Sequence, residues 1–511
     1  MKALPILIIG DPRLEEKASE VSSPDIDLAG ELACLHATLD EFRQRCGFGR
    51  AMAAPQVGIG KRIVVMNLGA GPFALINPEI TWRSDEEFEV WDDCLSIPDR
   101  VVRVKRRRSI SVRYEDEARR GRHWVRLPSD LAELVQHEVD HLDGILMTQR
   151  AWGPDAVRPI AEHARLVGAA RPKHRLSLDR IALAAKTIDP VFRQSPQYEC
   201  ESLSEALGCH LILKVEVANP IRSFKGRGAG FLLNEAMKRG DKRPVVSASA
   251  GNWGQALAYI ARLQDRPVVI YASRDANPLK VARMRSFGAE VRLVEGDFDQ
   301  SKAEAKRFAA AIGAWMAEDG LEPDIAEGAG SIAVELLTER PALDAIVLPL
   351  GNGSLLTGNA RWVKAASPAT RMIGVCAAGA DAMCRSFERG EPVETAEVHT
   401  IADGIAVRVP IPEAIADMRG VVDEVHIATD AQLIAAMRLA YGHTGLLIEP
   451  AGAAGVALIF AHPDKFAGQQ VATVLCGGNL TEQQTREWIL SDSRRQDIAQ
   501  PLLSHTRPDA S

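Results

Sequence analysis

From about residue 177 onward, short apolar runs alternate with stretches of helical periodicity, a pattern that few folds satisfy. The runs are Leu211 to Val215, Val245 to Ser247, Val268 to Tyr271, Ala345 to Leu350, Met372 to Val375 and Val471 to Leu475. A continuous apolar run suits a strand covered on both faces, as in a parallel sheet flanked by helices. The alternation therefore predicts α/β architecture with βαβ units and parallel sheets. The first 150 or so residues read as α+β. There Ile26 to Cys46 carries helical periodicity, and Leu4 to Ile9, Arg62 to Met66, Phe73 to Ile76 and Ser109 to Val112 read as short strands. Leu131 to Leu142 reads as a helix, with Pro128-Ser129-Asp130 as its start signal. The expected organisation is a domain at 1–152, a linker at 153–176, a second domain of two subdomains at 177–495 and a flexible polar tail at 496–511.

A net charge of -7 argues against a general nucleic-acid binder, so no DNA partner is expected. One local basic run, Arg103-Val104-Lys105-Arg106-Arg107-Arg108, reads as the exposed side of a strand. Its sharper reading is a patch for an anionic partner such as ribosomal RNA. Eight cysteines without regular spacing suit a reducing cytosol and point to a cytoplasmic protein. No run of about 20 apolar residues exists, so no membrane span is expected.

Chemistry concentrates first at Gln136-His137-Glu138-Val139-Asp140-His141. Two imidazoles four residues apart lie on one helix face and can reach one metal ion, with a carboxylate alongside. Gly49-Arg50-Ala51-Met52-Ala53-Ala54-Pro55-Gln56-Val57-Gly58 and Asp93-Cys94-Leu95-Ser96-Ile97-Pro98 join it. With Gly10-Asp11-Pro12-Arg13-Leu14, these segments make residues 3–150 resemble peptide deformylase. The resemblance implies Cys94, His137 and His141 as metal ligands, with a fourth position open. It implies Fe(II); thiolate and imidazole donors alone leave Zn and Ni open. Glu138 is then the proton carrier. Gln56 and the backbone N–H of Leu95 are the oxyanion donors, and the substrate is an N-formyl peptide or N-formyl amino acid. Two positions depart from the family. Asp92-Asp93 stand where it has Glu-Gly, and Ala51 where its motif has a second glycine. Asp93 and Ala51 are expected to narrow the peptide groove or change its electrostatics.

A second centre gathers around Ser223-Phe224-Lys225-Gly226-Arg227-Gly228. Ser249-Ala250-Gly251-Asn252, Gly351-Asn352-Gly353-Ser354 and Cys476-Gly477-Gly478-Asn479 each follow a predicted strand. Ligands in open α/β sheets collect beyond the carboxyl ends of strands, so these loops are expected to share a crevice. With Thr400 to Val407 and Glu449-Pro450-Ala451-Gly452-Ala453, residues 178–492 resemble the threonine dehydratase branch of the fold-type II (tryptophan synthase beta-like) pyridoxal-phosphate enzymes. The resemblance implies pyridoxal 5'-phosphate on Lys225 as a Schiff base. Its phosphate would be cradled by Gly351, Asn352, Gly353 and Ser354, with Asn252 on the ring hydroxyl. Ser249 would hold the substrate carboxylate. Cys476, facing the ring nitrogen, would leave it neutral and favour β-elimination over transamination. The implied reaction is loss of water from a small hydroxy amino acid such as threonine or serine, giving a 2-oxo acid and ammonia. Ala250 stands where serine racemases carry a second catalytic serine, and Cys376 where they carry a metal-binding glutamate. Racemisation and an activating divalent ion are therefore not expected. Trp253 replaces a frequent histidine and Arg222 a frequent glycine, which leaves side-chain preference open.

The whole reads as a bifunctional hydrolase and lyase. A formyl group blocks the amine that the lyase needs, so the first activity could supply the second; two independent activities joined by fusion is the plainer reading. A β-replacement enzyme of the cysteine or threonine synthase kind, joined to a degenerate deformylase-like binding module, is the alternative. Family relatives are dimers or tetramers, so a homodimer is a possible state.

Overall fold

A computed structural model describes residues 2–22, 25–46, 49–166, 174–296, 298–340 and 342–491. The predicted tail at 496–511 and the Gly168 to Pro172 part of the predicted linker lie outside the described residues. The chain divides into two compact units, Met1–Asp179 with Arg361–Thr370, and Arg180–Ala360 with Arg371–Ser511. Among the described residues no helix is long and apolar enough to cross a membrane.

The first unit holds two antiparallel sheets. One has the order β1-β2-β3-β6-β7, with β1 Ala51–Ala53, β2 Ile63–Asn67, β3 Pro72–Arg83, β6 Ile110–Glu115 and β7 Gly121–Trp124. The other has the order β4-β5-β8, with β4 Glu87–Cys94, β5 Ile97–Arg107 and β8 Val157–Pro159. The helix Leu28–Cys46 begins two residues after the predicted start, and the helix Ser129–Leu142 two residues before it. The latter packs against β1 and β5, and every residue from Ala132 to Leu142 is buried. Sheet and helix share an apolar core that includes Leu75, Val112, Trp124, Val135 and Leu142.

The predicted strand at Leu4 to Ile9 does not form. That segment is extended but outside any sheet, tied by Leu7 N–H to Gln56 O and Ile9 N–H to Ser96 O. The basic run also departs from expectation. It lies on β5, but Arg106 turns inward and is buried, because strand alternation points it opposite to Lys105 and Arg107. The remaining cations face acids or aromatic rings of the first unit. Arg107 pairs with Glu87 at 3.3 Å and Arg108 with Glu86 at 2.7 Å. Lys105 sits 3.6 Å over the Trp152 ring, and Arg103 lies over Trp91. With its charges met at home, the run gives no support to an RNA patch.

The second unit holds two mostly parallel sheets. The larger has the order β17-β16-β15-β18-β10-β9, from β9 Gln197–Glu199, β10 His210–Val215, β15 Ala345–Pro349, β16 Arg371–Ala377, β17 Glu424–Ala428 and β18 Gln470–Leu475. Only the β9–β10 pair is antiparallel. The smaller is parallel throughout, with the order β13-β12-β11-β14 from β11 Val245–Ala248, β12 Val268–Ser273, β13 Glu290–Val294 and β14 Trp315–Met316. Every residue of β11 and β15 is buried, which explains the unbroken apolar spelling of β15 and the near-apolar one of β11, broken only by Ser247.

A largely buried charge network centres on Arg227 of the helix Lys225–Lys238. Arg227 donates to both oxygens of Glu216 (2.9 and 2.8 Å) and to Glu335 (2.7 and 2.8 Å). Lys214 donates to Glu335 at 2.7 Å and to Ser195 O at 2.8 Å. Two cations meet two carboxylates, so the cluster is neutral as a whole. Removing one charge leaves a buried cation uncompensated, which typically costs about 3–5 kcal/mol. Glu216→Gln is therefore expected to lower the urea midpoint of the second unit's unfolding by that amount of stability, read by intrinsic fluorescence.

Candidate active sites

In the first unit, Cys94 closes β4 at the hairpin turn into β5, where a register shift falls between Asp92 and Cys94. His137 and His141 come from the helix Ser129–Leu142, four residues apart on one face. One donor atom from each of the three residues falls within 4.8 Å of the others, and all three side chains are buried. Cys94 Sγ lies 3.2 Å from His141 Nε2. The two rings stand edge to face with centroids 5.0 Å apart.

The electrostatics favour a cation here. Burial drives His141 well below the ordinary histidine range, so it is neutral, and its Nδ1 has no partner. Burial works against charge on His137 too, but Asp92 and Cys94 overcome it and raise that imidazole well above its usual value. Asp92 and Cys94 thus make the pocket favourable to positive charge. The donor set of one sulfur and two imidazoles fits a transition metal such as iron, zinc or nickel.

Asp92 is the residue whose part sequence reasoning missed. It lies 3.2 Å from His137 Nδ1, as a ligand-orienting carboxylate does. Arg106 bridges it, at 2.7 Å, to Asp140 at 2.5 Å. The buried arginine of the basic run therefore clamps the strand carrying Cys94 to the helix carrying both histidines. The only sequence signal was one cation in a basic run that alternates with valines, and charge runs usually mean solvent.

Glu138 is buried and its Oε2 has no partner. Burial foremost, with Glu133 and Asp93 adding to it against the opposing His137 and Arg50, pushes its carboxyl up to about 7. Asp93 thus acts on the electrostatics of the site, and it also lies 3.5 Å from His163 Nε2. Ala51 does not narrow a groove: its methyl is buried in the sheet core opposite Met66. Gln56 aims its amide Nε2 at Cys94 Sγ (3.5 Å) and Ser96 Oγ (3.2 Å), while its Oε1 accepts from Ala53 N–H at 2.9 Å. Leu95 follows Cys94 in the hairpin turn and is buried.

In the second unit, a cavity of about 590 Å³ gathers Lys225, Ser249, Asn252, Gly351, Asn352, Gly353, Ser354 and Cys476 on its walls. The loops following β11, β15 and β18 meet there, as the carboxyl ends of parallel strands should. Lys225 opens its helix, and Phe224 N–H donates to Cys476 O at 3.1 Å, which seats the lysine beside the thiol. Burial pushes the Cys476 thiol far up, so it is neutral. The helix Ser354–Ala366 starts where the glycine turn ends, so its first N–H groups and positive dipole end favour an anion. Gly353 has φ +94°, in the left-handed region that favours glycine.

Asn252 is more committed than the sequence suggested. Its amide donates to Glu449 Oε1, and its oxygen accepts from Asn479 at 2.8 Å and Gln255 at 3.2 Å. One amide hydrogen remains for a ring hydroxyl. Behind it, Glu449 faces the buried Lys280 at 3.4 Å. Burial opposes the Lys280 charge, but Glu449 and Asp403 hold that ammonium above the ordinary lysine value. Ser249 Oγ accepts from Gly254 N–H (2.9 Å) and Gly251 N–H (3.2 Å), which leaves its own hydrogen to donate. Trp253 fills its position with a buried indole that donates to Ser247 Oγ at 3.0 Å. Arg222 has φ +50°, so an arginine occupies a conformation that suits glycine. Cys376 is buried against Leu350 O. Among the described residues the only cluster of potential metal ligands is Cys94, His137 and His141. A lysine, an anion cradle, an amide donor and a neutral thiol around one cavity fit a phosphorylated pyridine aldehyde. One cavity residue gave no sequence signal beyond a lone Asp-Gly pair: Asp319, 2.6 Å from Lys225 Nζ.

Comparison with known proteins accords with this geometry. Residues 188–477 match the family model "Pyridoxal-phosphate dependent enzyme", and residues 3–156 match "Polypeptide deformylase". The L-threonine ammonia-lyase of Thermotoga maritima is 31% identical over 305 residues, covering 60% of this chain and 76% of that protein. That of Geobacter sulfurreducens is 31% identical over 288 residues, covering 56% and 72%. The solved T.th. threonine deaminase is 30% identical with a TM-score of 0.55, covering 60% of this chain and 99% of that one.

Proposed function

Because the chain belongs to the pyridoxal-phosphate dependent enzymes, in their threonine dehydratase and ammonia-lyase branch, and carries a polypeptide deformylase domain ahead of that region, we propose that it is a bifunctional cytoplasmic enzyme. Residues 177–495 would remove water and ammonia from a small hydroxy amino acid. Residues 1–152 would hydrolyse an N-formyl group. The observation that carries the lyase reading is Lys225 opening into a cavity walled by the glycine turn, Asn252 and the Cys476 thiol. The free cysteines are compatible with a reducing compartment.

The cofactor, when bound to Lys225, supplies an electron sink for the charge left on Cα. Ser249 donates its hydroxyl hydrogen to the substrate carboxylate. The N-terminal turn of the helix Ser354–Ala366 would hold the phosphate. Lys225 Nζ would take the Cα proton. Cys476 would offer the ring nitrogen a neutral contact.

In the hydrolase site, Cys94, His137 and His141 would hold an ion, and that ion would supply Lewis acidity. Asp92 orients His137. Glu138, poised near 7, takes a proton and returns it to the leaving amine. Gln56 and the Leu95 N–H would donate to the developing oxyanion.

Incubation with threonine or serine is expected to give 2-oxo acid and ammonia in equal amounts. Cysteine formed from serine plus sulfide, with no 2-oxo acid, would replace the lyase reading with β-replacement. Formate release from formyl-Met-Ala by the iron-loaded protein tests the other half, and its absence despite bound metal would make that half a binding module.

A further inference from the structure

One carboxylate in the lyase cavity has no part in the reaction as set out above. Asp319 sits three residues beyond β14, on the wall of the cavity that holds Lys225. Its side chain is one-tenth exposed. Its Oδ2 lies 2.6 Å from Lys225 Nζ, and its Oδ1 accepts from Ser354 Oγ at 3.0 Å. Glu318 beside it is already paired, with Lys302 and with Lys306. The loop is held tightly in place. Ser247 Oγ donates to Ala317 O at 2.6 Å, and Gly320 has φ +94° with no room for a side chain, since a Cβ there would lie 2.8 Å from Asn352 O. Asp319 is thus pressed against the glycine turn that the lyase reading gives to the phosphate.

The lyase reaction needs an acid beside the leaving group, because a hydroxyl departs poorly unless protonated, and a carboxyl enclosed in the cavity within reach of Lys225 and Ser354 is placed to be that acid.

Resting on the lyase reading, we propose that Asp319 is the catalytic acid that protonates the departing β-hydroxyl. Lys225 Nζ takes the Cα proton, and the electron pair left behind forms the Cα–Cβ double bond. The Cβ–O bond breaks toward oxygen, which takes the Asp319 proton and leaves as water. Asp319, now a carboxylate, recovers a proton from the Lys225 ammonium at 2.6 Å, which returns the lysine to its amine form. The hydrogen removed from Cα is thereby replaced by the one leaving in water, and no further donor is needed.

β-Chloroalanine separates this role from a structural one, since chloride departs without a proton. In the cofactor-loaded Asp319→Asn variant, the serine rate is expected to fall about 100-fold more than the β-chloroalanine rate. The infrared difference spectrum of loaded minus unloaded wild type is expected to show a carboxylic-acid carbonyl band that this variant lacks. Equal falls for both substrates, or a band that persists in the variant, overturns the assignment while leaving the lyase reading standing. A wild type that eliminates neither substrate overturns the lyase reading and this one with it. Should Asp319→Asn fail to load the cofactor, as judged by visible absorbance, Asp319→Ser carries the same comparison.

Discussion

Lys225→Ala is expected to lower 2-oxo acid formation by about 10⁴-fold and to abolish the visible absorbance of the loaded protein, with formate release unchanged. Alanine leaves neither an amine to carry the cofactor nor a base for the Cα proton, and positioned proton transfer alone is worth about 10²–10⁴ in rate. Lys302, the other lysine on the cavity wall, is paired with Glu318. Lys280, which lies behind Asn252, is buried and held protonated by Glu449 and Asp403, so it can neither accept a proton nor reach the cavity as a free amine. The helix Lys225–Lys238 should survive the change. Its first turn is tied down by Phe224 N–H on Cys476 O and by the Arg227 network, neither of which involves the lysine side chain. Absorbance and 2-oxo acid assays on the same preparation check the prediction. Turnover that persists without the absorbance band would remove the lysine from the mechanism.

The readable part of this molecule was the part written in local pattern. β15 and β18 are spelled in apolar residues because both their faces are covered, and the turns that follow them carry glycines for close approach. The two histidines share a helix face by spacing alone. What stayed hidden depends on contacts between distant segments. Asp92 reads as a departure from a familiar motif, yet it meets His137 from 45 residues away. Arg106 reads as one charge in a basic run, yet it is the inward member of an alternating strand and joins Asp92 to Asp140. Asp319 has no local signal beyond its Asp-Gly pair, and its meaning comes from a lysine 94 positions earlier. The segment at Leu4 to Ile9 misled in the other direction, since Ile6 and Leu7 pack without joining a sheet while Ile8 and Ile9 stay exposed. Periodicity reports burial; it does not report which partner a backbone finds.

Glu138→Gln is expected to reduce formate release from formyl-Met-Ala by about 10²–10⁴-fold while the protein keeps its metal. The amide has the shape of the carboxyl but cannot take a proton from water and return it to the leaving amine. Metal retention follows from the geometry, because Cys94, His137 and His141 hold the donor atoms and Asp92 holds His137. Folding should tolerate the change as well. Glu138 Oε2 is buried without a partner, and burial already disfavours its charge, so a neutral group of the same volume removes a desolvation cost and takes no hydrogen bond from that oxygen. Cys94→Ala makes the contrasting case: it takes away a ligand and is expected to lose the metal and the activity together. Metal content measured beside formate release separates the two. A Glu138→Gln protein that retains full activity would mean that another group carries the proton. Glu133 is the nearest alternative by charge, but it is held by Arg50 at 2.9 Å, so the double variant Glu138→Gln with Glu133→Gln would decide between them.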